Sequence, residues 1–161
     1  MEATSVWRIY VMEYARSKDQ PWVDLISGMY HEGTMDLPFS FILAQRDNRN
    51  VLVDTGFMQE DHGSGFSRKF GIPTWISPVR MLSEMNLAPE AITDIVLTHC
   101  HFDHMGSIAE FPNAHIYVQK SELLSCTKRS RFRSGSRTSP RSSIPTISAP
   151  PSTPRSLIAS R

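Results

Sequence analysis

The sequence predicts an α/β (layered α+β) domain followed by a disordered tail, and three observations predict it. Residues 39–45 and 51–53 are rich in aromatic and β-branched side chains and flank the turn signal Asp47-Asn48-Arg49-Asn50, which makes them a hairpin. A third apolar run, residues 92–97, follows a helical segment and leads directly into a dense group of histidine and aspartate at 98–106. After Leu124 the composition changes abruptly.

The elements follow in order. Residues 6–12 alternate enough to form a first strand, and the polar stretch 17–36, with Pro21, Gly28 and Gly33, reads as a loop. Pro38 can open the second strand, where its missing N–H is not needed. Residues 57–76, glycine-rich and containing Pro73, read as a long surface loop. Ser77-Pro78 signals a helix start, a capping hydroxyl followed by proline at the first helical position. Met81, Leu82, Met85 and Leu87 form its apolar face, with the methionines as core packing, and Pro89 prevents continuation. A short helix is expected over 106–111 and a strand over 115–118. This β-β-helix-β-loop order matches the first half of an αβ/βα sandwich.

The 161 residues suffice for one ordinary domain, and their net charge of +1 conceals a split. Residues 1–124 hold all 16 acidic residues and nine basic ones, a net −7; residues 125–161 hold eight basic residues and no acid, a net +8. Of the 37 residues in that tail, 11 are Ser, seven Arg, five Pro and four Thr, so little can be buried to offset ordering entropy. The division is therefore a partial domain at 1–124 and a Ser/Arg/Pro-rich tail at 125–161. Two cysteines, Cys100 and Cys126, cannot make a disulfide framework, and reduced thiols fit a cytoplasmic location. Residues 1–10 have no secretory pattern, and no apolar run approaches the ~20 residues a bilayer span needs.

The chemistry concentrates in Thr98-His99-Cys100-His101-Phe102-Asp103-His104-Met105-Gly106. His99 and His101 are two apart, so on extended backbone their rings project to the same side. Asp103 and His104 are adjacent and reach a common point only where the chain turns. Such a cluster suits two cations, one held by two imidazoles and the other by a carboxylate and an imidazole; two-metal hydrolases hold their ions roughly 3.5–4 Å apart. A chance polar loop or an adventitious surface metal site are the plainer readings. Cys100 points away from the flanking histidines and is expected to be a small buried filler.

This His-x-His-x-Asp-His pattern resembles the metallo-β-lactamase superfamily. Leu37-Pro38-Phe39-Ser40-Phe41-Ile42-Leu43-Ala44, Asn50-Val51-Leu52-Val53-Asp54-Thr55-Gly56 and Ile116-Tyr117-Val118-Gln119-Lys120-Ser121-Glu122 resemble the segments on either side of the family's metal loop. The resemblance runs from about residue 5 to about residue 124 and is greatest to the branch of N-acyl-homoserine lactonases. It implies the N-terminal half of the αβ/βα sandwich and two Zn²⁺ ions per site, the first on His99 and His101 and the second on Asp103 and His104. Asp54 would orient a ligand histidine from outside the metal shell; a turn-capping aspartate is its alternative. The implied reaction opens a lactone ring with hydroxide from a water shared by the ions, and Asp103 passes a proton to the leaving alkoxide. Gly56 and Gly106 would permit close backbone turns, and the loop around Met29 and Tyr30 would meet a small-molecule ester or lactone substrate.

In the family, further histidines and a bridging aspartate come from later in the chain. Here no aspartate follows His104, and the single later histidine is His115. His31 and His62 lie upstream in polar loops. The expectation is a truncated hydrolase, its end out of frame, mis-spliced or wrongly delimited, with one metal or none bound and little or no activity. The unpartnered inner face of its sheet would favour self-association. Two other functions remain open: a glyoxalase II-like thioesterase, or a non-catalytic fragment whose basic tail binds nucleic acid or a partner. For nucleic acid, Phe132 is the lone aromatic in the tail, so base stacking has little support.

Overall fold

The first strand is far longer than its apolar alternation suggests. In the computed structural model, which describes residues 5–59, 64–133 and 157–160, β1 runs Arg8–Pro21. It pairs antiparallel with β2, Thr34–Arg46, from Arg8↔Gln45 to Pro21↔Thr34. The loop expected over 17–36 is therefore strand at both ends, 17–21 and 34–36, with the single helical turn α1, Trp22–Leu25, after the first. Sequence alternation misses the extension because the register shifts between Glu13 and Ala15 and again between Ser17 and Gln20, and each shift breaks the period of two. Pro38 lies within β2 instead of opening it. β3, Arg49–Val53, covers β2 only over residues 42–46, so Pro38 removes no bond from that ladder.

The described residues of 57–76, which are 57–59 and 64–76, also hold regular elements where a surface loop was expected. Phe57 is buried, α2 spans Ser64–Lys69, and β4, Thr74–Trp75, pairs with Ala15 and Arg16 of β1. Helix α3, Pro78–Glu84, starts where Ser77-Pro78 predicts, but the Ser77 hydroxyl makes no capping bond. It ends at Glu84 with Met85 as its C-cap, before Pro89 is reached. Asn86 adopts φ 58°, and the Leu82 carbonyl accepts from both Met85 N and Leu87 N. A left-handed asparagine is a common helix end.

Strand β5, Asp94–Leu97, lies parallel to β3, and β6, His115–Gln119, lies parallel to β5. Between them the helix expected over 106–111 is replaced by α4, Phe102–Met105, inside the histidine motif, and a 3₁₀ turn at Ile108–Glu110. Helix α5, Lys120–Arg133, crosses the boundary that composition places at 124, because four of its last nine residues, Lys128, Arg129, Arg131 and Arg133, are helix formers and no amphipathic pattern is needed. Strand β7, Leu157–Ser160, pairs parallel with β6 from Ile116↔Leu157 to Gln119↔Ser160. The fold class expected from the sequence stands; within the segment expected to be a disordered tail, α5 reaches Arg133 and β7 covers Leu157–Ser160, and residues 134–156 and 161 lie outside the described residues. The sheet order is β4-β1-β2-β3-β5-β6-β7.

The two faces of this sheet differ. Leu43, Leu52, Ile95 and Ile116 pair in register across β2, β3, β5 and β6; the first three are fully buried, and Ile116 packs against them. With Tyr14, Phe41, Phe57, Leu82, Phe111 and Val118 they form the core. On the opposite face Val11, Ile42, Val53, Val96 and Tyr117 also align across the strands, yet Val11 is 71% and Val96 40% exposed. Among the described residues, the expected unpartnered apolar face is this one.

Candidate metal centre

Parallel pairing of β3 with β5 sets the ends of both strands side by side, and the site is built there. Just beyond β3, Asp54 N donates to the Val96 carbonyl at 2.9 Å, and Asp54 takes φ 62°. That left-handed conformation is uncommon for a residue other than glycine and marks a position the surroundings over-determine. It turns the carboxylate towards the segment after β5. Oδ1 accepts from Thr98 N at 2.8 Å, and Oδ2 accepts from Thr98 Oγ1 at 2.8 Å. His104 Nδ1 lies 2.7 Å from the same Oδ2. Burial alone would raise the Asp54 pKa, but the bonds from His104 and Thr98 outweigh it and hold the carboxyl below its ordinary value.

The four residues singled out in the sequence come together as two pairs. His99 Nε2 and His101 Nδ1 stand 3.0 Å apart. His104 Nε2 and Asp103 Oδ2 stand 3.3 Å apart. The pairs are adjacent, since the His99 and His104 ring centroids are 3.9 Å from each other. With Zn–N and Zn–O bonds of about 2.0–2.2 Å, two ligand atoms of a tetrahedral zinc stand about 3.3 Å apart. Each pair therefore matches one edge of such a tetrahedron, which is the fit expected if a cation replaced the contact between its members. Among the described residues no three His, Cys, Asp or Glu side chains are grouped about a common ion position. Within each pair the donor atoms instead face one another.

Charge explains that arrangement. Burial would lower the His104 pKa, but hydrogen bonds to Asp103 and Asp54 outweigh it and raise the value to about 9. His104 is thus an imidazolium donating from both nitrogens, and a cation at Nε2 must displace that proton. Asp103 is held below the ordinary carboxylate value: burial opposes ionisation, and His104 more than compensates. His99 is lowered by burial and by the two neighbouring imidazoles, which favours the neutral, ligating form.

Three further residues hold the loop, and the motif gave no notice of them. Tyr14 Oη, in β1, donates to the Asp103 carbonyl at 2.9 Å, and its burial pushes the phenol well above its usual range. Thr55 N donates to the His104 carbonyl at 2.7 Å, reinforced by Thr55 Oγ1 at 3.1 Å. Thr98 bonds Asp54 as described and lies 3.1 Å from His99 Nδ1. Thr55 and Thr98 flank Asp54 and His99 in sequence, so adjacency was a usable signal; Tyr14 is 89 residues from Asp103 and left none. Gly56 and Gly106 permit the close turns expected of them. A Cβ on Gly106 would stand 2.9 Å from Phe57 Cα, and Gly56 adopts φ 71° with Tyr14 and Pro78 against it.

The other candidates lie apart. His115 opens β6 opposite Asp94, at the far end of the strands from the motif. His31 is exposed in the loop before β2, His62 lies outside the described residues, and Tyr30 is 88% exposed. Cys100 is half-buried, not a fully buried filler. Burial and the Cys126 thiol push its pKa up to about 12.

Residues 35–157 match the family described as the metallo-beta-lactamase superfamily. The chain is 34% identical over 107 residues to a probable metallo-hydrolase of Mycobacterium tuberculosis, covering 58% of this chain and 34% of that protein. It is 28% identical over 115 residues to the N-acyl homoserine lactonase AiiB of Rhizobium rhizogenes, covering 66% of this chain and 41% of the relative. The chain thus spans well under half the length of these curated relatives. Among solved structures, a quorum-quenching N-acyl homoserine lactone lactonase superposes with a TM-score of 0.61 at 23% identity, over 79% of this chain and 51% of that one. That likeness shows the fold.

Proposed function

We propose, because this chain belongs to the metallo-β-lactamase superfamily, that it carries the His-rich wall of a metal-dependent hydrolase acting on small esters, with lactones such as N-acyl homoserine lactones as the substrate class. The observation that carries the reading is the pair of donor contacts at 3.0 and 3.3 Å, each suited to one tetrahedral edge. Lactonase names among the relatives favour a lactone over other esters.

His99 and His101 would hold one ion, and Asp103 and His104 the other. Bound Zn²⁺ supplies a water of near-neutral pKa and polarises the substrate carbonyl. The protein's own part is positioning. The Asp54 carboxylate accepts a hydrogen bond from His104 Nδ1–H, which would leave Nε2 as the ligating atom and fixes the ring's plane. Thr98 in turn fixes Asp54. Tyr14 and Thr55 hold the carbonyls of Asp103 and His104, which fixes the backbone from which both side chains project. Asp103 rests as a carboxylate because His104 depresses its pKa, so it would first accept the proton released from the attacking water and then return it to the leaving alkoxide.

Four side chains leave at least half of eight tetrahedral positions to other donors, so zinc binding by these four alone is expected to be weak. The test measures zinc per chain by calorimetry, then turnover of an acyl-homoserine lactone beside a glutathione thioester. Zinc uptake lost in His101→Ala, with lactone preferred wherever turnover is measurable, supports the reading. Uptake unchanged in His101→Ala removes the metal assignment, and preference for the thioester removes the lactone.

A further inference from the structure

We propose that Cys100 and Cys126 are a redox-sensitive thiol pair that closes into an intramolecular disulfide and ties helix α5 to the metal loop. The topology makes them neighbours. Strands β5 and β6 are parallel and adjacent, with Leu97 opposite Val118. The loop that leaves β5 therefore starts beside the helix that leaves β6, although the two cysteines are 26 residues apart. The Cys126 thiol donates to the Cys100 carbonyl at 3.5 Å, and it is also a hydrogen-bond partner of the Cys100 thiol. Both side chains are half-buried, close enough to one another to react and open enough to meet a small reagent. They are the only two cysteines in the sequence, so neither has another partner within the chain.

The pair is separate from the donor atoms. His99 Nε2 and His101 Nδ1 face each other at 3.0 Å, while the Cys100 thiol between them in sequence faces α5. Closing the bridge would leave the imidazoles free and restrain the backbone that carries them.

The oxidant is a low-molecular-weight disulfide such as glutathione disulfide. One protein thiol gives its proton to water and attacks a sulfur of that disulfide. The small S–S bond breaks, a mixed disulfide forms, and one glutathione thiolate leaves and takes up a proton. The second protein thiol repeats the attack on the protein sulfur of the mixed disulfide and expels the second glutathione. Two protein thiols are oxidised and one small disulfide is reduced to two thiols.

The experiment treats the full chain with glutathione disulfide at neutral pH, with and without added Zn²⁺. Free thiols are counted, and non-reduced peptides are mapped by mass. The expected result is loss of both thiols, a monomer lighter by two hydrogens, and one cross-linked species joining the peptides of Cys100 and Cys126. Backbone amide exchange over residues 120–126 should slow several-fold in the bridged form. Cys100→Ser should instead carry a single glutathione on Cys126 and no bridge. Stable glutathione adducts on both cysteines, or disulfide-linked dimers in place of the bridged monomer, would overturn the proposal. So would protection of Cys100 by zinc, which would make it a metal ligand. The bridge forms without metal, so its failure is distinguishable from failure of the hydrolase reading.

Discussion

The two donor pairs of the loop are held very differently. Asp103 and His104 begin a helical turn whose carbonyls are gripped by Tyr14 and Thr55 and whose imidazole is gripped by Asp54. His99 and His101 lie on the extended approach to that turn; the contact that fixes His99 is the Thr98 hydroxyl at 3.1 Å, and His101 is exposed. One pair is pre-organised and the other is carried by its backbone alone. The side a cation would find ready is therefore Asp103–His104, where binding costs a proton from Nε2 but little rearrangement.

Asp54→Asn should break the difference most severely. Asparagine tolerates the left-handed backbone that Asp54 adopts, so the turn survives. Its oxygen can still accept from Thr98 N. Its amide nitrogen then faces His104 Nδ1, which must become the acceptor, and the proton moves to Nε2, the atom needed for a metal. Zinc affinity at that pair should fall about 10–100-fold, as for other outer partners of ligand histidines. Calorimetry on the variant checks this, with a spectroscopically visible cobalt titration as a second reading. An equal loss at His99 and His101 would mean that the two pairs act as one.

Gly106→Val acts on the same anchored end through packing. Its side chain would press on Phe57, whose ring is buried and packs edge-on to Tyr14 at 5.4 Å. Overpacking of this kind costs about 1–3 kcal/mol, readable as a lower urea midpoint at unchanged slope. Because Tyr14 and Phe57 move together, the variant should loosen Asp103 along with the core.

How much of this was legible beforehand depended on range in sequence. The six-residue motif, with Asp54 in its turn, marked the side chains that the fold brings together in two adjacent pairs, because they lie so close in sequence. The hairpin and β5 followed from apolar runs. What the sequence concealed was long-range. Two register shifts hid the length of β1, pairing with Ala15 and Arg16 made β4 from two residues of a supposed loop, and Tyr14 reached Asp103 across the sheet. An apolar face without a partner was expected, and only the pairing of the strands shows that it carries Ile42, Val53 and Val96 while Leu43, Leu52 and Ile95 are covered.

Tyr14→Phe sharpens the comparison at a single hydrogen bond. The ring stays in the aromatic cluster with Phe39, Phe41 and Phe57, so packing is retained. The Asp103 carbonyl loses one donor, which should lower stability by about 1 kcal/mol in urea unfolding and weaken zinc at Asp103–His104 more than at His99–His101.

The smallest effect on the fold is expected at the unanchored pair, and there the contrast between folding and binding is sharpest. His101 is exposed, and its ring contacts His99 at a centroid distance of 4.5 Å without gripping any backbone group. His101→Ala should change stability by no more than about 0.5 kcal/mol, the usual range for surface substitutions away from special features. The same change removes half the donors of its metal. Near wild-type unfolding combined with lost zinc uptake would mean that His101 is retained for coordination and contributes little to the fold. A destabilisation as large as that of Tyr14→Phe would instead place His101 among the supports of the loop, and the distinction between the two ends would fail.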